Sequence, residues 1–202
     1  ILLSAAGGKC IRFPVADLRI FESRASTGVR GMKLAEGDSV ISMSVLKHAK
    51  ADIEKRDAYL KESVMRRRLA GQADEVDTVE TESVTDTVLT SEEFEKMAQD
   101  EEFILTITDK GYGKRSSAYE YRITARGGSG VVNIKTDDEK RKADVVASMP
   151  VPDDAHIMLV TDGGKLIRMK VSDIRIAGRS TMGVILFRLD NDEKVVSATC
   201  IT

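Results

Sequence analysis

The sequence predicts an all-β, propeller-like fold of three four-stranded blades with one helical insert, on three observations. A unit of about 50 residues occurs three times, each copy is built of short turn-bounded apolar runs, and one acidic block of different character interrupts the series. The blades are placed at residues 1–46, 102–150 and 151–202, and the insert at 47–101.

The repeat rests on matching offsets. Gly8, Gly111 and Gly164 align at a first turn, and nine residues later stand Asp17, Glu120 and Asp173. Two further on come Arg19, Arg122 and Arg175, and Arg24, Arg126 and Arg179 each precede Gly28, Gly130 and Gly183 by four. Within a copy the grammar is β. Ile157 to Val160, Leu166 to Met169, Val184 to Leu189 and Val195 to Ala198 are strand-length and bounded by Gly and Asp. Thr161, Asp162, Gly163 and Gly164 carry the Asp-Gly signature of a tight hairpin. In the run Val29 to Leu34, alternation sets Met32 and Leu34 on one face and Lys33 on the other, with Lys135 and Arg188 at the matching solvent position. A single blade cannot bury both faces, so neighbours must stack around an axis.

The insert reads differently. Lys50 to Ala70 lacks Gly and Pro and spaces Ile53, Leu60 and Val64 along one face, the pattern of an amphipathic helix. Arg66, Arg67 and Arg68 suit its C-terminal dipole, and Gly71 stops it. Gln72 to Leu89 alternates acids with Val and Thr and reads as loose. Thr90 and Glu93 have capping-box spacing for a second helix to about Asp100. The insert is expected outside the β core, grafted onto a loop between blades.

Composition narrows the functional class. Of 202 residues 42% are hydrophobic and 4% aromatic, with no Trp, so the core is expected to be aliphatic. Two cysteines, Cys10 and Cys200, form neither a disulfide framework nor a metal cluster. No run spans a bilayer and no signal peptide is present, which reads as a soluble, cytosolic chain, and a start at Ile1 within a strand suggests a piece of a longer protein. The net charge of −2 conceals an asymmetry: Lys47 to Glu101 holds 9 Lys/Arg against 15 Asp/Glu, leaving 22 against 18 elsewhere.

Neither His48 nor His156 has partners at triad or metal spacing, and the Gly-Lys turns at Gly113 and Gly164 lack Walker spacing, so no catalytic, cofactor or metal site is expected. The informative set is basic and recurrent. It comprises Lys9, Arg12, Arg19, Arg24 and Arg30 in the first copy, with Lys114, Arg115, Arg122 and Arg126 in the second. Lys165, Arg168, Lys170, Arg175 and Arg179 follow in the third. If blades stack radially these residues form a ring of positive charge, which suits bent duplex DNA because phosphate neutralisation offsets bending. Few aromatics argue against single-strand stacking platforms. Arg24, Arg126 and Arg179 are expected at equivalent rim positions on phosphates.

Several phrases carry a family resemblance. They are Ser23-Arg-Ala-Ser-Thr-Gly-Val-Arg-Gly31 with Glu36-Gly-Asp38, then Lys110-Gly-Tyr-Gly-Lys-Arg115, then Thr161 to Gly164, and Gly178-Arg-Ser-Thr-Met-Gly-Val-Ile185. Outside Lys47 to Glu101 the chain resembles the last three blades of the C-terminal domain of the bacterial DNA gyrase A protein. The resemblance implies a β-pinwheel that wraps double-stranded DNA around its rim and supports negative supercoiling by a type II topoisomerase. It also implies partners in the rest of the gyrase A protein and the ATPase subunit of an A2B2 complex, with cleavage, ATP and Mg2+ acting elsewhere in that complex. A bacterial, nucleoid-associated, cytoplasmic location follows. The family's basic Gln-Arg-Arg-Gly-Gly-Lys-Gly box belongs to a first blade that is absent; Thr124-Ala-Arg-Gly-Gly-Ser-Gly130 keeps only part of it. The C-terminal domain of the topoisomerase IV A protein therefore stays open as a same-fold alternative, and a propeller-like protein-binding scaffold as a different class.

Overall fold

A computed structural model describes residues 1–47, 51–72, 87–136, 142–190 and 192–202. The first unit contains β1 (Leu2–Ala5), β2 (Lys9–Arg12) and β3 (Val40–Ser44). The insert supplies α1 (Ile53–Leu69) and α2 (Ser91–Asp100). The second unit has β4 (Phe103–Thr108), β5 (Tyr112–Ser117), β6 (Val131–Val132) and β7 (Val145–Val151). The third has β8 (His156–Thr161), β9 (Leu166–Lys170), β10 (Val184–Ile185) and β11 (Val195–Ile201). A single 3-10 turn follows the second strand of each unit, at Val15–Asp17, Ala118–Glu120 and Val171–Asp173.

Strands pair antiparallel in three sheets, ordered β3-β1-β2-β6, β10-β5-β4-β7 and β11-β8-β9. The fold is the all-β one expected, but a sheet is not the property of one unit. The outermost strand of the first sheet, β6, comes from the second unit, pairing Val132 with Lys9 and Val131 with Cys10. In the same register β10 of the third unit pairs Ile185 with Tyr112 and Val184 with Gly113. Glycine makes this exchange possible. Gly130 has φ +71°, and a Cβ on it would lie 2.1 Å from the Cys10 carbonyl oxygen; Gly183 stands likewise 2.5 Å from that of Gly113. Two expectations change accordingly. Among the described residues the third sheet has three strands, because the fourth would come from a following unit. Val29 to Leu34 is not a ladder strand, because its counterparts pair with the preceding unit. Met32 of that segment is buried, whereas Leu34 joins Lys33 at the surface.

Of the last strands of the three units, β7 adjoins both β3 and β11, so these strands form the hub and the exchanged strands the rim. The cores between sheets are mainly aliphatic, with Tyr121 the buried aromatic of the first junction. Leu105, Ile107, Ile157, Leu159, Val171 and Ile174 fill the space between the second and third sheets. Leu2, Cys10, Ile104, Ala118 and Tyr121 fill that between the first and second. A buried polar network crosses this junction: Ser4 bonds Ser148 (3.0 Å), and Asn133 receives Tyr121 Oη (2.7 Å) and Thr106 Oγ1 (3.2 Å) while donating to Ser148 (3.1 Å).

In the insert, Asp52 caps α1 by accepting from the Lys55 amide, and Gly71 and Gln72 donate back to Arg68 and Arg67 in a Schellman closure. The Thr90–Glu93 capping box opens α2. The helices are not free of the β structure. Tyr59 stacks on Phe94 (4.8 Å) and meets Tyr119 of the second unit edge-on (5.2 Å), with Leu60, Leu89 and Met97 around them. Three of the nine aromatic residues meet at this dock. Of the expected apolar stripe, Leu60 and Val64 are buried and Ile53 is half exposed. His48 and most of the stretch from Gln72 to Leu89 lie outside the described residues.

Candidate nucleic-acid interface

The recurrent basic residues divide into two populations. Lys114, Arg115, Arg12 and Arg179 are buried, with Lys114 at 0% exposure. Their donors are spent mostly on backbone carbonyls. Lys114 Nζ donates to the carbonyls of Gly178 (2.6 Å) and Arg179. Arg115 Nε donates to Ile174 O (2.7 Å), while Nη1 pairs with Asp153. Arg12 donates to Ala118 O (2.8 Å), Tyr121 O (3.4 Å) and Lys47 O (3.0 Å). Arg179 donates to Glu120 O (3.3 Å) and Val132 O. A buried cation is tolerated because guanidinium and ammonium donors find carbonyls where strand exchange leaves them outside any ladder. These four therefore bind the fold to itself and are corrected from phosphate contacts to inter-unit ties.

Arg126 shares in this second role. It is half-buried and donates to Asp17 O (3.2 Å) and Arg30 O (3.2 Å), which match Glu120 and Val132 in the repeat. The expectation of three equivalent rim arginines is thus revised: Arg126 and Arg179 clasp the unit before them, and only Arg24 is exposed. One signal for the buried set was legible. Lys114 stands three residues after Gly111, where the other copies have Ile11 and Ile167.

The remaining residues face water. Lys9, Arg19, Arg24, Arg30, Arg122, Lys165 and Arg168 are exposed, as are Lys33, Lys135, Lys170 and Arg188, and Arg175 is half-buried. They sit on the outer strands or on the loops that lead to them, away from the hub. Arg19 and Arg122 occupy the same place, two residues past the 3-10 turn, and Arg19 lies over Phe21 (4.6 Å). Lys165 is held by Asp190 (2.6 Å) and Glu193 (2.8 Å), an arrangement that keeps Glu193 down at about 2. Of the repeated carboxylates, Asp17 and Asp173 are exposed, and Glu120 is structural. Glu120, buried, accepts the Arg179 amide (2.8 Å), and burial pushes its carboxyl up to about 7 despite neighbouring Lys114, Arg179 and Arg67. Burial likewise holds the Cys10 thiol at about 12, protonated and inert. Among the described residues no group of three His, Cys, Asp or Glu side chains could hold a metal ion, and no helix is long and apolar enough to cross a membrane.

The arrangement can offer scattered, sequence-indifferent cations along a curved edge. Relatives place it in context. The chain is 54% identical over 201 residues to the DNA gyrase A protein of Rickettsia bellii, covering 100% of this chain and 22% of that protein. It is 49% identical to that of Granulibacter bethesdensis, over 98% of this chain and 22% of the relative. The chain thus spans about a fifth of the length of these relatives. In fold it matches the C-terminal domain of DNA topoisomerase IV (TM-score 0.67, 20% identity, 99% of this chain and 46% of that one). It also matches a DNA gyrase A C-terminal domain (TM-score 0.63, 22% identity, 100% and 50%). The model of the DNA gyrase C-terminal domain, beta-propeller, covers residues 1–47, 102–151 and 155–202, leaving out the helical insert, and the chain belongs to that family.

Proposed function

We propose that this chain binds double-stranded DNA along the outer edge of its sheets and bends it, as part of a DNA gyrase A protein. There it would supply the wrapped segment for ATP-dependent negative supercoiling by the whole type II topoisomerase. The observation that carries the reading is the exposed cation set repeated on the outer strands and loops, Arg19 with Arg122 above all, in a chain whose buried cations are already committed. Phosphate contacts from such residues position DNA without reading bases, which suits wrapping of arbitrary sequence. Gyrase is preferred to topoisomerase IV because relatives at 49–54% identity over nearly the whole chain carry the gyrase name. The proposed partners are the ATPase subunit together with the remainder of the gyrase A protein. Strand cleavage, ATP and Mg2+ act there, and this piece serves the bacterial cytoplasm.

Binding to two unrelated duplexes of about 40 base pairs, measured across a salt series, tests this. Replacing Lys9, Arg19, Arg30 and Arg122 with Ala should weaken both duplexes alike and flatten the salt slope by about one unit per lost phosphate contact. An unchanged slope in the folded variant would overturn the assignment.

A further inference from the structure

The two junctions between units are closed by the same contacts but linked differently. At the first, the Thr124 amide donates to Arg12 O (2.8 Å) and the Asn133 amide to Gly8 O (2.8 Å). At the second, the Ala177 amide donates to Arg115 O (2.9 Å) and the Leu186 amide to Gly111 O (2.9 Å). The strands that carry the chain across the second junction, β7 and β8, are separated by Pro152, Asp153, Asp154 and Ala155 alone. That short link is part of the closure, because Asp153 pairs with Arg115 Nη1 and Ala155 O accepts the Val171 amide (2.9 Å). Across the first junction, β3 and β4 are separated by residues 45–102, which include the whole insert.

The register shows what the insert replaces. Leu2 pairs with Ser44 as Leu105 pairs with Met149, so Lys47 stands at the place of Pro152. The Ala118 amide donates to Glu102 O (2.8 Å) as the Val171 amide does to Ala155 O, so Glu102 stands at the place of Ala155. Residues 48–101 therefore occupy the place of Asp153 and Asp154. The two ends are pinned together, the Lys47 amide donating to Glu102 Oε2 (2.7 Å). Lys47 O accepts Arg12 Nη2 (3.0 Å), a bond in the position of the Arg115 pair with Asp153. These bonds alone would leave a long tether, and the constraint a tether puts on its ends weakens as it lengthens. The remaining constraint comes from the dock. Tyr119 lies in the turn that Arg12 ties; its Oη donates to Met97 O (2.9 Å), and Tyr59 meets its ring edge-on. Tyr59 Oη in turn donates to Glu101 Oε2 (2.8 Å), a carboxyl that burial raises above its ordinary value. A dock that buries an ionisable group opens more readily than an apolar one of the same size.

We propose that the insert is a latch on the first junction. Docked on Tyr119, it takes the place of the short link and holds the first unit at a fixed angle to the second. Undocked, it becomes a long tether and the first unit swings. The latch then sets the angle between Arg19 of the first unit and Arg122 of the second, and with it the bend of a bound duplex, a step that rests on the DNA binding proposed above.

Hydrogen exchange of the whole chain without DNA tests the latch, with the second junction as internal reference. Tyr59→Ala should speed exchange at the Thr124 and Asn133 amides about tenfold or more, the order expected when a short closure becomes a long one, and leave those of Ala177 and Leu186 unchanged. Replacing residues 48–101 with Asp-Asp, together with Tyr119→Ser to match Ser172 of the third unit, rebuilds the short link. That chain should protect all four amides as the wild type does. Protection kept at Thr124 and Asn133 in Tyr59→Ala, equal loss at both junctions, or loss at the first junction of the shortened chain would each overturn the proposal. End-to-end energy transfer on a bound duplex of about 40 base pairs reads the DNA step, and Tyr59→Ala should bend it less than the wild type. An equal bend would sink that step, whereas a duplex bound by neither chain would count against the DNA reading and leave exchange to decide the latch.

Discussion

Substituting alanine at Gly130 and at Gly28 isolates the energetics of strand exchange, because the two positions share a backbone conformation and differ in what faces them. Both lie at positive φ, +71° and +75°, so each alanine meets the left-handed penalty of about 1 to 2 kcal/mol. At Gly28 that is the whole cost, since nothing lies within 4 Å of the new methyl. At Gly130 the methyl would sit 2.1 Å from the Cys10 carbonyl oxygen and 2.8 Å from its carbon. Ordinary contact begins near 3.4 Å, so β6 must retreat from β2 by more than 1 Å. A displacement of that size breaks a two-residue ladder and loosens the Asn133 network behind it. Overpacking and lost hydrogen bonds add about 2 to 3 kcal/mol, for a total of about 3 to 5 kcal/mol at Gly130 against about 1 to 2 kcal/mol at Gly28. Urea unfolding of dilute protein, with m-values compared to confirm a common transition, reads the difference directly. Gly183→Ala should resemble Gly130→Ala. Equal losses at Gly28 and Gly130, within about 0.5 kcal/mol, would refute the exchanged-strand geometry.

Two further outcomes follow from buried groups. Glu120 titrates near 7 when folded against 4.5 as the ordinary value, so the folded state binds the extra proton and its contribution is lost as pH rises from about 4.5 to about 7. Glu120→Gln should flatten stability across that window, a difference of up to about 3 kcal/mol, and a thermal-melting series over pH showing parallel curves would count against it. Tyr59→Ala should cost about 3 to 4 kcal/mol by emptying the dock between Phe94 and Tyr119. Hydrogen exchange should then rise through α1 and α2 while β4 and β7 stay protected; loss of protection in both would mean the helices and sheets fold as one unit.

Much of the fold was legible because the repeat is strong and local signals agree with it. The hairpin at Thr161 to Gly164, the caps at Thr90 and Gly71, and the strands β8, β9 and β11 of the third unit form where turn chemistry and β-branched runs place them, whereas of the run Val184 to Leu189 only Val184–Ile185 is a strand. What the sequence did not disclose is which neighbour each strand serves. Alternation at Val131–Val132 or Val184–Ile185 is equally consistent with pairing inside its own unit or with the preceding one, since a periodic sequence offers both partners at the same register. The dock of the insert was hidden for a related reason. Tyr119 lies in the second unit's turn, where its counterparts are Ala16 and Ser172, so its aromatic ring has no meaning until α1 is beside it.

The same ambiguity divides the candidate site. A residue repeated in every unit can recur because the ligand is extended or because the junction is repeated, and recurrence alone does not separate the two. Exposure does. Arg12 and Arg115 answer to the junction, their guanidinium groups closed over by the turn of the next unit; Arg168, the third of that series, is exposed on β9, whose outer edge has no paired strand among the described residues. Arg179, Arg126 and Arg24 show the same gradation in the opposite direction along the chain. Arg19 and Arg122 behave otherwise: Arg122 stays exposed although it lies within a completed junction, so its exposure cannot be charged to a missing neighbour. That contrast, between cations a neighbouring unit would cover and cations it leaves uncovered, places Arg19 and Arg122 first among the residues to test against DNA.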